Sequence, residues 1–306
     1  MIVTVTPNPA LDLTYTLTTL RPHSSHRVQS VHEQAGGKGV NVARVLHALG
    51  RPATAVLPLG GPTGDAVRAD LERTGIVHLP IPLTDGATRR TVAVVHDGDA
   101  TMLNEPGPQL SALHWSALCA GVEGLLPTAR ALVLAGSLPP GLPAGAYGDL
   151  VRLARAHGVP VVLDADGPPL TSALDAEPTV IKPNAAELRA ATGIEDPLTA
   201  ARALVAAGAR SVVASLGPKG LLAVDPTGSW RAFLPAGTDV GGSNPTGAGD
   251  SVVAALALGL ADRTPLPIAL SHAVALSAAT VRARFAGRFD GESHQRFLPL
   301  VQVVPV

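Results

Sequence analysis

A chain of 306 residues is long enough to bury a large core, as one big α/β domain or two smaller ones. With 46% hydrophobic, 15% charged and 3% aromatic residues it has the composition of an Ala/Val/Leu-rich globular protein, which excludes a disordered one. A formal net charge of -1 gives no reason to expect nucleic acid or an anionic membrane as partner, and the single Cys119 excludes an intrachain disulfide.

The segment Met1 to Pro9 has no basic leader and meets proline at Pro7, and no apolar run reaches the roughly 18 residues of a spanning helix, so a cytoplasmic location is expected. Ile2 to Thr6 is a β-branched run that predicts a buried strand. Leu11 to Leu17 and His26 to Gln34 alternate apolar with polar and predict half-exposed strands outside the main core. Ala35-Gly-Gly-Lys-Gly-Val-Asn follows, a glycine-rich turn entering a helix in which Val42, Leu46 and Leu49 repeat at helical spacing up to Gly50. It is not a Walker A loop, which would need Gly at 32 and Ser or Thr at 39, where the chain has His32 and Gly39. A dinucleotide fingerprint would have to follow the first strand directly, which this turn does not.

Ala53 to Leu59 predicts a strand and Thr63 to Thr74 a helix. Ile76 to Leu83, Arg90 to His96 and Thr101 to Leu103 read as strands, with a tight turn at Asp97-Gly98. Segments 11–34 and 88–104 are placed together in a small accessory sheet, with Arg89 and Arg90 at its mouth. From Ser111 onward helices (112–125, 144–157, 184–193, 197–207) alternate with strands at 131–135, 159–163, 179–181 and 211–215. Several strand ends carry polar residues and glycine, which is where ligands sit in an open parallel sheet: Gly136-Ser137, Asp164, Lys182-Pro-Asn184 and Ser215 to Gly217. A hairpin is expected at 220–225 and 229–234, a long helix from Pro265 to about Arg284, and a closing segment at 289–306 that the pattern does not define.

The stretch Gly241 to Leu260 organises the chain. Gly247-Ala-Gly249 leaves the backbone almost bare before an apolar helix, and bare amides at a helix start bind anions. Asp250 is placed on that turn, where a carboxylate could take a proton while the amides hold a phosphoryl group; the same residue also suits an ordinary helix cap. Only three of the 23 basic side chains are lysine (Lys38, Lys182, Lys219), each in a loop flanked by Gly or Pro, where a compact point charge suits a phosphate.

Four motifs stand in order: Asn8-Pro-Ala-Leu-Asp12, Gly36-Gly-Lys-Gly-Val-Asn-Val-Ala-Arg44, Ile181-Lys-Pro-Asn-Ala-Ala-Glu-Leu188 and Thr246-Gly-Ala-Gly-Asp-Ser251. Together they resemble the ribokinase-like (PfkB) carbohydrate kinases over nearly the whole chain, and within them the 1-phosphofructokinase and tagatose-6-phosphate kinase branch. The resemblance implies a ribokinase-like three-layer α/β/α sandwich in a single domain, 1–306, with a small β-sheet lid formed by about 11–34 and 88–104. It implies ATP with Mg²⁺ and a phosphorylated ketohexose as acceptor: fructose 1-phosphate or tagatose 6-phosphate, giving the 1,6-bisphosphate. It implies Asp250 as general base and Gly247, Ala248 and Gly249 as anion hole. Asp12, Gly36, Gly37, Lys38, Asn41 and Ser137 correspond to residues that hold the sugar, with Arg89 and Lys38 for its phosphate. Lys182, Asn184, Ser215, Gly217 and Gly220 correspond to nucleotide contacts, and Asn184 with Glu187 to the magnesium element. Pairing of two copies through the lid is a further implication. The chain departs from the branch at Asp166, where a hydroxyl residue is usual. Asn244-Pro-Thr246 resembles tagatose-6-phosphate kinases, whereas Asn104-Glu-Pro-Gly-Pro108 resembles 1-phosphofructokinases. A kinase of an unphosphorylated sugar or nucleoside, and a sugar-phosphate sensor without catalysis, are the competing readings.

Overall fold

The structure, a computed structural model, describes residues 1–96, 99–242 and 246–306. The first half of the chain runs β1 (Ile2–Val5), β2 (Ala10–Thr16), β3 (Ser30–Gly36), α1 (Lys38–Ala48), β4 (Ala53–Leu59), α2 (Gly61–Arg73), β5 (His78–Pro82), β6 (Arg89–His96) and β7 (Asp99–Asn104). It continues with α3 (Ala112–Leu125), β8 (Ala131–Ala135), α4 (Ala146–Ala156), β9 (Val161–Asp164), α5 (Gly167–Thr171), β10 (Val180–Ile181), α6 (Ala185–Thr192) and α7 (Pro197–Ala206). The remainder is β11 (Val212–Ser215), β12 (Leu221–Asp225), β13 (Gly228–Phe233), α8 (Ala248–Asp262), α9 (Leu266–Val281), α10 (Gly291–Phe297) and β14 (Gln302–Pro305).

Among the described residues the strands form two sheets. The large one has ten strands in the order β14-β13-β12-β11-β10-β9-β8-β1-β4-β5, parallel from β5 to β11 and antiparallel beyond. Its central strands are buried on both faces, so they read as continuous apolar runs, and alternate residues serve opposite layers. Val3, Val5, Leu132, Leu134, Val161 and Leu163 join the core under α3 to α7, while Ile2, Ala131, Val133 and Val162 join the core under α1, α8 and α9. That is the three-layer α/β/α arrangement of the ribokinase-like fold. The order reverses between β1 and β8, and such a switch point opens a crevice at the carboxyl ends of the strands.

The small sheet, β3-β2-β6-β7, joins residues from the two separate segments assigned to it. Asp12, Gln34, Thr91 and Asn104 share one face by register; Tyr15, Val31, Val94 and Leu103 share the other.

Several boundaries differ from the sequence reading. β3 begins at Ser30 and not at His26, because the preceding residues are exposed turn and loop. α5 was not expected, yet proline suits the first turn of a helix, where its missing N–H is not needed. The undefined closing segment becomes α10, capped by Asp290 onto Ser293, and then β14, which covers the edge of β13. The tight turn expected at Asp97-Gly98 and the Asn244-Pro245 pair lie outside the described residues. No helix among the described residues is long and apolar enough to cross a membrane.

Candidate active site

Both glycine-rich turns become helix starts at the carboxyl end of the sheet. α1 begins after Gly37 (φ 107°) and α8 after Gly247 (φ 85°), and neither N-cap supplies a side-chain hydrogen bond. Both conformations are ones that residues with a Cβ rarely adopt. The first helix is laid directly on β1: a Cβ on Gly39 would lie 2.8 Å from the Val5 carbonyl oxygen. First-turn amides therefore point, with the positive dipole end, into the crevice.

Asp250 sits one step further along than the sequence suggested. It lies inside the first turn of α8 and not on the turn before it, because the helix already starts at Ala248. Its side chain reaches across to α1, where Asn41 Nδ2 donates to Asp250 Oδ2 at 2.8 Å. Only 7% exposed, the Asp250 carboxyl is pushed up to about 7 by burial and by the negative Asp164; the Asn41 hydrogen bond, Lys38 and Lys182 pull the other way. An acid poised near neutrality can accept a proton from a hydroxyl at physiological pH.

Two of the three lysines converge on one buried acid. Lys38 Nζ donates to Asp164 Oδ1 at 3.1 Å, and Lys182 Nζ lies 3.5 Å from the same oxygen. Asp164 is 2% exposed and Lys182 5%, whereas Lys38 keeps 39% of its side chain open to the crevice. Burial works against the Lys38 ammonium, but Asp164 and then Asp250 outweigh it and hold its pKa above the ordinary value. Lys182 also reaches the second turn: a Cβ on Gly249 would stand 3.6 Å from its Nζ. Lys219 is exposed, on the loop after β11, with its carbonyl accepting from Arg231.

Beside these groups lies a cleft of about 580 Å³ lined by Asn8, Arg89, Asn104, Ser137 and the Leu138–Pro140 loop, a size suited to a small metabolite. Asn8 Nδ2 bridges the switch point by donating to Ser137 Oγ (3.1 Å) and to the Pro106 carbonyl (3.0 Å). Arg89 is held at Nε by the Asn8 carbonyl (3.2 Å) and at Nη1 by the Glu105 carbonyl (3.1 Å). Burial lowers its pKa, against the pull of Asp12 and Glu105. Asp12 accepts from the Thr91 hydroxyl; burial raises its pKa, opposed by that bond, Arg89 and Arg44. Gly36 lies against that acid, since a Cβ there would fall 2.0 Å from the Asp12 carboxyl carbon. Arg90 is exposed, with its amide bound to Glu105 Oε2.

The remaining expected residues gather differently. Asn184 and Glu187 form a capping box at the start of α6: Asn184 Oδ1 accepts from the Glu187 amide (2.9 Å) and Glu187 Oε2 from the Asn184 amide (2.8 Å). Glu187 nevertheless contributes to the field at Lys38, which places its charge beside the crevice. Ser215 pairs with Asn184 in an isolated bridge, Gly217 makes a left-handed turn after it, and Gly220 (φ 83°) is required where its Cβ position falls 2.1 Å from the Ala232 carbonyl oxygen. Asp166 is exposed at the start of α5 and makes no capping bond. No group of three or more His, Cys, Asp or Glu among the described residues could hold a metal alone. A magnesium ion carried on phosphates needs only one or two protein carboxylates; Asp164 is paired with both lysines, and the Glu187 charge is felt at Lys38.

Asn8, the first residue of a motif, and Asp164, a polar strand end, were given no role by the sequence. Both stood in the sequence at strand ends, but neither their burial nor their long-range partners could be read there.

The sequence profile of the pfkB family carbohydrate kinases matches residues 6–289. Phosphofructokinase-2 from Escherichia coli is similar in its tetrameric inhibited form (30% identity, TM-score 0.89) and in complex with fructose-6-phosphate (29%, 0.86). Each match covers 97% of this chain and 98% of that one. A possible 1-phosphofructokinase from Thermotoga maritima is 25% identical with a TM-score of 0.90, over 100% of this chain and 99% of that one.

Proposed function

The chain belongs to the pfkB family of carbohydrate kinases, and from that premise we propose that it transfers the γ-phosphoryl group of ATP to a hydroxyl of a phosphorylated ketohexose. The observation that carries this reading is the Asn41–Asp250 hydrogen bond, which ties a near-neutral buried acid to the starts of both helices in one crevice with Lys38 and Lys182. Acceptor sugar would occupy the cleft lined by Asn8, Ser137 and Arg89 and extend towards Asp12, its own phosphate met by Arg89 and Lys38. Gly36 and Gly37 would let backbone approach it.

In the reaction the sugar hydroxyl oxygen forms the new bond to phosphorus as the bond to the departing ADP breaks, and the hydroxyl proton passes to Asp250. The amides of Gly247, Ala248 and Gly249, beside the Lys182 ammonium, would meet the charge on the transferred group, which is the main catalytic contribution in phosphoryl transfer. Lys182, Ser215, Gly217 and Gly220 would lie along the nucleotide, with Asn184 and Glu187 towards its metal. Magnesium, when bound with ATP, would supply neutralisation of the phosphate oxygens. The small sheet would act as the lid that excludes water. Its face opposite Asp12 exposes Val31 and Leu103, at 56% and 58%, which suits docking of a second copy.

A second reading has one observation in its favour. Arg89 already spends two donors on the Asn8 and Glu105 carbonyls, as an arginine with a purely structural role would. The acceptor would then carry no phosphate. ADP release measured over a panel of fructose 1-phosphate, tagatose 6-phosphate, fructose 6-phosphate and the free sugars tests both: turnover confined to the sugar phosphates supports the first reading, turnover of free sugars the second, and none at all removes both.

A further inference from the structure

Two side chains of β3 grip a loop that no sequence motif marks. His32 and Gln34 are two residues apart on a strand and so project from the same face. The His32 ring stacks on Phe285, with centroids 3.7 Å apart and planes 20° from parallel. Gln34 Nε2 donates to the Ala286 carbonyl at 3.3 Å, and His32 Nε2 lies 3.4 Å from Gln34 Oε1. Thus the small sheet holds the loop after α9 by one ring and one hydrogen bond.

The other side of the same loop rests on the catalytic groups. A Cβ on Gly247 would stand 3.1 Å from both the Ala286 Cα and the Gly287 nitrogen. A Cβ on Gly287 would stand 2.9 Å from Arg44 Cδ and 3.2 Å from Asn41 Oδ1. At Gly247 backbone meets backbone, so a shift of the loop is transmitted there directly, while at Gly287 the loop backbone bears on the Arg44 and Asn41 side chains. Asn41 in turn holds Asp250. The path therefore runs from the small sheet through residues 285–287 to the anion turn and, in parallel, to the proposed base.

We propose that His32 and Gln34 are positioning residues for phosphoryl transfer, setting the anion turn against Asp250 through the 285–287 loop. This rests on the kinase reading above. Neither residue lines the cleft beside Arg89 and Ser137; their effect passes through Phe285, Ala286 and Gly287. Misplacement of reacting groups by even an ångström costs rate and leaves binding nearly intact.

The test is kinetic and structural together. His32→Ala is expected to lower kcat about tenfold with the KM values for sugar phosphate and ATP within about twofold. His32→Phe, which keeps a ring for Phe285, should recover kcat to within about threefold. Phe285→Leu, which keeps apolar cover without a stacking partner, should reproduce the loss and serves if His32→Ala does not fold. Amide hydrogen exchange, which needs no substrate, should quicken in His32→Ala at both 285–287 and 247–251. Unchanged kcat in both His32→Ala and Phe285→Leu, or faster exchange at 285–287 alone, overturns the proposal. Failure of the kinase reading looks different: the unaltered protein would phosphorylate no sugar, while the exchange result would still decide whether loop and anion turn are coupled.

Discussion

The two glycine-rich turns look alike in sequence and differ in what their glycines do. Around α1 the missing side chains are demanded by packing: a Cβ on Gly36 would enter the Asp12 carboxyl group, and one on Gly39 would come within 2.8 Å of the Val5 carbonyl oxygen. Around α8, Gly247 is demanded by its positive φ and by the loop beneath it, but a Cβ on Gly249 would meet nothing closer than Lys182 Nζ at 3.6 Å. One turn is glycine-rich because the sheet presses against it. In the other, Gly249 borders open crevice, the signature of a surface kept clear for a ligand. The first carries a cation, Lys38, into its helix; the second carries the acid, Asp250.

The strongest way to break that contrast is Asp250→Asn, which keeps size and removes the base. It is expected to fold, to bind ATP, and to lose about three or more orders of magnitude in kcat. Near-normal single-turnover rates would leave the second turn without its chemistry.

Next come the glycines themselves. Gly39→Ala forces a methyl against backbone and should destabilise the fold by about 1–3 kcal/mol in denaturant titration. Gly249→Ala should leave the unfolding midpoint nearly unchanged and lower kcat/KM for ATP by about tenfold or more, since the methyl would stand where the transferred group must approach the amides. If Gly249→Ala proves the destabilising one and Gly39→Ala the inactive one, the contrast is reversed.

Arg89→Ala should raise the KM for a sugar phosphate by about ten- to a hundredfold with kcat little changed, since it removes uniform binding of a group remote from the reaction. An unaltered KM would assign Arg89 to holding the Asn8 and Glu105 loops together.

The smallest effects concern pH. A base must be ionised, so kcat/KM should climb from acid pH and level off above about 7, where burial and Asp164 place the Asp250 carboxyl. Stability should move the opposite way. The folded protein holds the Asp250 proton to higher pH than the unfolded chain, whose carboxyl titrates near 3.8, so stability falls from about pH 4 to about pH 7. That decline should vanish in Asp250→Asn. Asn41→Ala removes a hydrogen bond that favours the carboxylate and should move the kinetic inflection upward. A downward shift would mean that Asn41 favours the protonated acid instead.

Much of this architecture was legible in the chain. Apolar runs bounded by glycine and proline marked the buried parallel strands, and polar alternation marked β2 and β3, because strand faces meet different surroundings and composition records that. Strand ends bearing Lys182, Asn184 and Ser215 signalled the functional edge. α5 was hidden by its prolines, and β14 by its short length and its terminal Pro305, since an edge strand is fixed by its neighbour β13 and not by its own pattern. Asn184 and Glu187 had a second use that the sequence also carried: Asn-x-x-Glu at a helix start is a capping box whatever else it holds.

By itself the sequence determined which residues could do chemistry: an acid after bare amides, lysines set beside glycine or proline, and glycines where two helices begin. Local composition suffices for that, because backbone freedom and side-chain type are properties of single positions. Only the tertiary structure decided that Asp164 lies between Lys38 and Lys182, that Asn41 reaches Asp250 from 209 residues away, and that β3 meets the loop after α9 at Phe285. Those pairings arise from the packing of the layers, and burial and charge, which shift a pKa, exist only once the layers have closed.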